Sequence, residues 1–446
     1  MRACLTHTSH FKERPNGFAP LVRLFVARLA CRQHRMLIDL GPLRHNTAFR
    51  RLFASQFISG LGTMVSYVAV PWQVYELTRS NALVGLLGLV QLVPVVACGL
   101  LGGAVADRVD RKRLLMGSEA LMALCVAGLL ANAMTATPNV FVIYALVAVL
   151  QGASGFHRPA LEALTQKLAR PEEFAAVAAL SSVRGTFGMV AGPALAGLLL
   201  VQWGAVGAYL FDLVSFLAAL FFIARIPRER VGSVESVGER PHLLADLAEG
   251  LRFAWARPEL MGTYIVDIVA MAFAFPIALF PAMAAADGRT ESVGWLLSAM
   301  SVGALVIGVF SGWASKVKRH GRAVVIAAAV WALGIVALGF APSLLLALAC
   351  LAVAGAADMV SGVFRGTIWN ETIPNALRGR LAGIEMISYL TGPLIGNVRA
   401  GFMADAWGVS ASIWIGGLVC LLGVVATGFA LPRFWAYRSS VGSGVH

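Results

Sequence analysis

Twelve long apolar runs constrain this chain more than any other feature of its sequence. Each run can cross a hydrocarbon layer about 30 Å thick as a single helix. Lipid offers backbone groups no partner, so the spanning elements must be helices or a closed barrel. We predict an all-α polytopic membrane protein with 12 transmembrane helices in two six-helix bundles. The runs lie near residues 51–76, 82–106, 114–135, 139–166, 176–203, 206–225, 260–285, 293–315, 322–341, 343–372, 379–406 and 409–431.

The composition excludes a soluble protein of this length. Of 446 residues, 58% are hydrophobic and only 13% are charged, whereas soluble proteins carry about 25% charged residues. The sequence also lacks a phosphate-binding loop, a serine-nucleophile elbow and a zinc-protease helix. We therefore predict that the chain is not an enzyme and uses neither a cofactor nor a metal.

The basic residues predict the orientation. Thirty of the 36 lysines and arginines fall in the tails and in the loops on one side of the predicted spans, whereas the opposite loops hold only Arg79 and Arg289. Loops rich in lysine and arginine face the cytoplasm. We predict a multi-pass protein of a bacterial inner membrane with both termini cytoplasmic. The net charge of +13 then reflects topology, and we predict no nucleic-acid partner.

Polar stretches divide the chain into five parts. Residues 1–44 form a basic tail, for which we favour a flexible segment over a helix lying on anionic lipid. Residues 45–225 and 259–432 each hold six apolar runs, and 433–446 form a C-terminal tail. Between the bundles, 226–258 form a linker whose second part spaces its leucines as an amphipathic helix on the membrane surface does.

The two bundles repeat each other in sequence. Glycines recur in order at a nearly constant offset, and Trp203-Gly204 matches Trp407-Gly408. Small residues four apart permit helices in lipid to approach closely. We expect these glycines, together with one proline, to form smooth contacts between the two halves. The helix-packing residues are Gly188, Gly192, Pro193, Gly392 and Gly396.

The stretch at 103–113, which reads GAVADRVDRKR, closely resembles the signature between the second and third spans of the major facilitator superfamily. The stretch at 188–197 resembles the antiporter motif of that superfamily, although Ala196 stands where a second glycine is expected. Shorter matches at 48–53, 250–254 and 377–383 are similar to the subgroup of the enterobactin (siderophore) exporter and macrolide-type drug exporters. This resemblance implies alternating access, in which two bundles rock about a central site.

Charged residues near the cytoplasmic ends of the spans predict a gate, because a charge within the membrane costs several kcal/mol and requires a reason. The resemblance implies that Asp107 faces the N-terminus of the eleventh span, and Arg111 is placed to pair with Glu162. The predicted gate residues are Asp107, Arg108, Arg111, Arg158, Glu162, Arg184, Arg365, Glu371 and Glu385.

Two acids are the candidates for proton coupling. The resemblance implies that the first, fourth, seventh and tenth spans line the cavity, which favours Asp267 and Asp358. Asp212 ranks lower, because its span is expected to be peripheral. We interpret Glu119 as an interfacial group and His157 as a hydrogen-bonded core histidine, and we expect Arg399 to contact Asp405 or an anionic substrate.

Aromatic residues on the same four spans predict an apolar pocket, which suits an amphipathic solute. The pocket candidates are Tyr67, Trp72, Phe156, Phe273 and Phe364. In the seventh span, Pro276 and Pro281 predict a broken helix. We predict a monomeric secondary transporter that exchanges a small-molecule substrate for protons. It would export a siderophore-like amphiphile, the alternatives being a multidrug pump, a lipid transporter or a non-transporting sensor.

Overall fold

Helices build most of the part of the chain that the structure describes. A computed structural model describes residues 39–106, 109–227, 249, 251–374 and 377–439. Its long helices are α1 (Thr47–Thr78), α2 (Asn81–Ala106), α3 (Arg111–Ala133), α4 (Val140–Leu168), α5 (Phe174–Ala224), α6 (Pro258–Ala274), α7 (Phe280–Asp287), α8 (Ser292–Val309), α9 (His320–Gly339), α10 (Leu344–Thr372), α11 (Arg378–Trp407) and α12 (Val409–Ala430).

These helices confirm the predicted all-α class. Ten described helical segments are long and apolar enough to cross a membrane, and α11 adds another helix of 30 residues. One segment, Pro171–Ala224, has 54 residues and is broken at Gly204, where φ is +60°. A chain that reverses at Gly204 crosses twice, so the set is consistent with the 12 predicted crossings.

The repeated Trp-Gly pairs mark equivalent turns of the two halves. Gly204 lies inside α5 at a φ of +60°, and Gly408 lies between α11 and α12 at a φ of +89°. Only glycine adopts such angles without strain. The internal repeat found in the sequence therefore corresponds to a repeated turn, which joins the fifth crossing to the sixth and the eleventh to the twelfth.

The seventh crossing is broken, as the two prolines predict. Helix α6 ends at Ala274, a short 3-10 turn covers Ile277–Leu279, and α7 begins at Phe280. The break leaves the Ala278 N–H free to donate to the Asn397 side-chain oxygen of α11 at 3.2 Å. An irregular backbone at this depth is tolerated where it is buried in protein or lines a cavity.

Side-chain caps fix where several helices begin. The Asn46 and Asn139 side chains accept bonds from backbone N–H groups in the first turns of α1 and α4, and Asp110 does the same for α3. Such caps satisfy donors that have no partner inside the helix.

The described chain begins with a short helix, Gly41–His45, whereas the tail was predicted to reach residue 44. Residues 1–38 and most of the linker, 228–248, lie outside the described residues.

We call α1–α5 the first half and α6–α12 the second half. Each half has a core of fully buried large side chains, such as Phe216 and Tyr209 in the first and Trp331 and Phe280 in the second. The end of the linker packs on the second half: Ala254 is fully buried and joins a cluster around Leu260 and Tyr264.

Candidate functional site

The two halves meet at the end of the bundle that carries the turns at 79–80 and 288–291, which we call the closed end. Here α2 lies against α11, and α5 lies against α8. A Cβ atom on Gly85 would meet the Asn397 carbonyl oxygen at 2.5 Å, and one on Gly294 would overlap a backbone oxygen of α5. The backbones approach so closely because small residues line the contact.

Most of the predicted contacts between halves lie inside one half instead, which corrects the sequence interpretation. Two of the glycines face Met64 of α1, and their repeats face Met271 of α6. Only Pro193 reaches across, since its carbonyl oxygen lies against Gly294. A small residue permits close approach but does not specify which helix approaches. The glycines concerned are Gly188, Gly192, Gly392 and Gly396.

An aspartate of the second half caps a helix of the first half at the closed end. The Asp405 carboxylate accepts hydrogen bonds from the Asn81 N–H at 2.8 Å, the Ala82 N–H at 3.0 Å and the Ser80 hydroxyl at 2.6 Å. These N–H groups open α2, where a negative charge is favoured. Arg399 does not contact Asp405 as we expected, but donates to the Ser412 carbonyl oxygen at 3.3 Å.

A cavity of about 800 Å³ opens in the first half, on the side away from the closed end. We call that side the basic end, because the arginine- and lysine-rich loops lie there. The cavity wall is mostly apolar, with charged and polar groups set into it. Its polar lining residues are Gln56, Ser59, Thr63, Glu119, Gln151, Ser154, His157, Arg158, Glu162 and Arg184.

Two of these residues form a buried pair. The Glu119 side chain of α3 is 0% exposed, and one carboxylate oxygen lies 2.5 Å from Nε2 of His157 in α4. We interpreted Glu119 as an interfacial group, and the structure shows that this is wrong. His157 is hydrogen-bonded as predicted, and its partner is this carboxylate, which gives the cavity wall a titratable pair.

A second acid lies deeper in the first half. Asp212, in the second arm of α5, accepts a hydrogen bond from the Ser66 hydroxyl and lies within reach of Ser215. It is 1% exposed and lines a cavity of about 150 Å³, whose wall also includes Pro393 and Asn397 of the second half. Asp212 is therefore central, although its span was expected to be peripheral.

In the second half, one arginine contacts both predicted coupling acids. The Arg365 guanidinium of α10 forms an ion pair with Asp267 of α6, and it lies 3.6 Å from Asp358. Asp267 and Arg365 are almost fully buried, whereas the Asp358 side chain is 42% exposed. The structure thus brings Asp267, Arg365 and Asp358 together. It also moves Arg365 from the predicted gate to this triad.

The remaining gate residues take partners mostly within their own half. Arg158 lies 3.3 Å from Glu162 on the same helix, and Arg111 donates to the Ala163 carbonyl oxygen at 3.5 Å rather than pairing with Glu162. Arg184 lines the cavity, and no acidic partner for it is found among the described side chains.

Glu371 binds the C-terminal segment rather than the first half. It accepts hydrogen bonds from the Tyr437 phenol at 2.8 Å and from Ser439. Burial and the Glu371 carboxylate raise the pKa of the Tyr437 phenol above its usual range. Asp107 and Arg108 lie outside the described residues, and so does the side chain of Glu385.

Of the predicted pocket aromatics, one lines one of the two cavities described above. Tyr67 lines the smaller cavity, whereas neither described cavity includes Trp72, Phe156 or Phe273. Phe364 is 1% exposed and packs between Trp313 and His320, so it is a core residue. The aromatic side chains that line the large cavity are Phe57 and Phe216.

Comparison with known proteins places the chain in a family. A family model described as transmembrane secretion effector matches residues 38–441. The multidrug efflux pump Tap of Mycolicibacterium fortuitum is 30% identical over 394 residues, which are 86% of this chain and 95% of the pump. The enterobactin exporter EntS of Shigella boydii is 29% identical over 371 residues, which are 82% of this chain and 87% of the exporter.

Solved structures show the same fold at low sequence identity. The nucleoside transporter NupG superposes with a TM-score of 0.68 at 13% identity, over 87% of this chain and 99% of that one. A bacterial homologue of the iron transporter ferroportin, in an inward-facing state, gives a TM-score of 0.64 at 14% identity, over 87% of this chain and 98% of that one. The chain is a membrane transporter that belongs to the major facilitator superfamily, in the family of transmembrane secretion effectors.

Proposed function

We propose that this transporter exports an amphipathic small molecule across the bacterial inner membrane by proton antiport. Siderophore-like compounds are the leading substrate class. The observation that carries the proposal is the cavity of about 800 Å³ in the first half. It lies on the far side of the bundle from the contact between the halves, and it combines an apolar wall with an arginine that has no acidic partner among the described side chains.

The positive-inside rule supports the direction of transport. Loops rich in lysine and arginine face the cytoplasm, so the basic end would be cytoplasmic. The cavity then opens to the cytoplasm, while the seam between α2 and α11 closes the opposite face. A state open to the cytoplasm is the one in which an exporter loads its substrate.

The buried ion pair of the second half supports proton coupling. Asp267 and Arg365 link α6 to α10, and a proton on Asp267 would abolish the attraction. Breaking a buried pair leaves an uncompensated charge and costs several kcal/mol. The protonated and deprotonated forms would therefore favour different packings of α6 against α10, which a proton gradient can exploit.

One arginine of the cavity favours an anionic amphiphile. Arg184 has a guanidinium in the cavity, and guanidinium groups bind carboxylate-like oxygens. Iron chelators carry acidic oxygen donors of this kind, since hard cations prefer oxygen ligands. The similarity to the enterobactin exporter agrees with this substrate class.

Metabolite export tests the proposal. The gene is deleted, the cells are starved of iron, and compounds outside and inside the cells are compared by mass spectrometry. We expect an iron chelator to disappear from the medium and to accumulate in the deletion strain. An unchanged profile would contradict siderophore export.

Drug efflux is the second candidate, and the similarity to the multidrug pump Tap supports it. Everted vesicles separate the two functions with two dyes, the anion anilinonaphthalene sulfonate and the cation ethidium. Siderophore-type export predicts uptake of the anion and about tenfold slower uptake by the Arg184→Gln variant, as expected for the loss of a charged contact. Uptake of ethidium alone would favour the drug pump.

A further inference from the structure

The Glu119 and His157 pair differs from the other charged groups of the cavity in its burial. Glu119 is completely buried, and the His157 side chain is 15% exposed. One Glu119 oxygen lies 2.5 Å from His157 Nε2, while the other has no hydrogen-bond partner among the described groups. The imidazole also lines the cavity. It therefore connects the buried carboxylate to the cavity.

The Glu119 and His157 pair can exist in two protonation states that differ by one proton. With a neutral imidazole that donates from Nε2, the pair carries one net negative charge. With one more proton, held on either residue, the pair has no net charge. Burial disfavours net charge, whereas access to water permits exchange. When a hydronium ion protonates the pair, one of its O–H bonds breaks and a new N–H or O–H bond forms in the pair. The reverse transfer returns the proton to water.

Charged neighbours act on the pair in opposite directions. The cavity holds Arg158 and Glu162 of α4 and Arg184 of α5, while α1 contributes only neutral polar groups. Asp212, in the second arm of α5, is close enough for its charge to interact with that of Glu119. Two arginines and two acids therefore lie around the pair, so that neither sign of charge dominates its surroundings.

We propose that Glu119 and His157 form a proton-binding site of the first half, separate from the Asp267 and Arg365 pair of the second. The proposal rests on proton antiport, which it deepens by naming a second site. The buried Asp212 lies deeper and lines the smaller cavity, so a proton that leaves Glu119 on that side has an acceptor next to the seam between the halves.

Infrared difference spectroscopy tests the site without a transport substrate. The purified full chain in lipid nanodiscs is titrated between about pH 8 and pH 5, the range in which a histidine exchanges its proton. We expect the wild type to show a protonation band that both Glu119→Gln and His157→Gln remove. The control Glu172→Gln changes an exposed carboxylate of a loop and keeps the band. Spectra that neither variant alters would overturn the proposal.

Transport assays in proteoliposomes test whether the site couples. The probe is anilinonaphthalene sulfonate, followed with a proton gradient and, separately, down its own gradient. We expect Glu119→Gln to slow gradient-driven transport about tenfold more than it slows downhill transport, in the range of coupling free energies. Equal losses in both modes, in His157→Gln as well, would indicate a structural role and overturn the coupling role.

The two proposals fail in different ways. If the wild type itself does not respond to the proton gradient, the proposed antiport is wrong, and the infrared result still decides whether the pair binds a proton. If the wild type responds and Glu119→Gln responds equally, antiport stands and the second site is wrong.

Discussion

The Asp405 carboxylate of α11 accepts a hydrogen bond from the backbone N–H of Ala82, which opens α2, at 3.0 Å. One half of the transporter thus caps a helix of the other half. The resemblance to the superfamily implies a similar contact at the opposite end, between Asp107 and the N-terminus of the eleventh span. At the closed end, the two halves are therefore held by hydrogen bonds to the Asp405 carboxylate as well as by close packing at glycines.

Asp405→Asn should weaken the closed end. A cap of this kind contributes about 1–2 kcal/mol, and 1.4 kcal/mol corresponds to a factor of about ten in a population. We expect a cysteine placed at Leu394, which lines the cavity beneath the seam, to react about tenfold faster with an impermeant maleimide from the closed-end side. Asp287→Asn is the matched control, since Asp287 bonds Arg289 and Ser292 within its own half. Equal labelling rates in both variants would contradict a role of Asp405 in holding the closed end together.

Gly294→Ala should also open the seam. Its new methyl group would overlap the Pro193 carbonyl oxygen, and overpacking of this kind costs about 1–3 kcal/mol. Gly117→Ala adds the same methyl group at a position where it would meet no neighbouring group within 4 Å. We expect a lower melting temperature and slower transport for the first variant only. A Gly294→Ala protein that behaves as Gly117→Ala does would show that the halves separate more readily than their packing suggests.

Arg365→Gln should destabilise the second half, because it leaves Asp267 buried without its counter-charge. Removing one partner of a buried pair costs about 3–5 kcal/mol. The double variant Arg365→Gln with Asp267→Asn removes both charges, and we expect it to recover most of the loss in thermal unfolding. Glu76→Gln breaks the exposed pair with Arg79 and should change stability by less than about 1 kcal/mol. Additive losses in the double variant would contradict a direct pair.

Gly204→Ala should strain the turn between the fifth and sixth crossings. The residue lies at a φ of +60° and a ψ of −158°, a region that costs other residues about 1–3 kcal/mol. Gly366→Ala, inside α10 with no atom within 4 Å, is the control. An alanine in a helix is favoured over glycine by about 1 kcal/mol. The melting temperature should therefore fall below that of the wild type in Gly204→Ala and rise above it in Gly366→Ala.

Hydropathy predicted the fold well because lipid imposes one requirement on every crossing. The predicted runs near 51–76 and 409–431 agree with α1 and α12 to within a few residues at each end. The broken seventh crossing also followed from Pro276 and Pro281, since proline removes a backbone donor. Sequence therefore captured the features that depend on local physical chemistry alone.

Which side chains of different helices contact each other could not be predicted in the same way. Gly192 and Gly396 were recognised as packing positions, but the sequence does not say that Met64 and Met271 lie against them. Glu119 and His157 lie 38 residues apart, on two helices whose facing sides no periodicity reveals. Their signal in the sequence was that each is a titratable residue within an apolar run.

The coupling of transport to protons is the central claim, and everted membrane vesicles test it most directly. A pH-sensitive dye reports the proton gradient while anilinonaphthalene sulfonate uptake is recorded in the same sample. We expect that uptake releases protons from the vesicles, stops when nigericin collapses the gradient, and is lost in the Asp267→Asn variant. Uptake that continues at the same rate after nigericin, with no proton release, would contradict proton antiport.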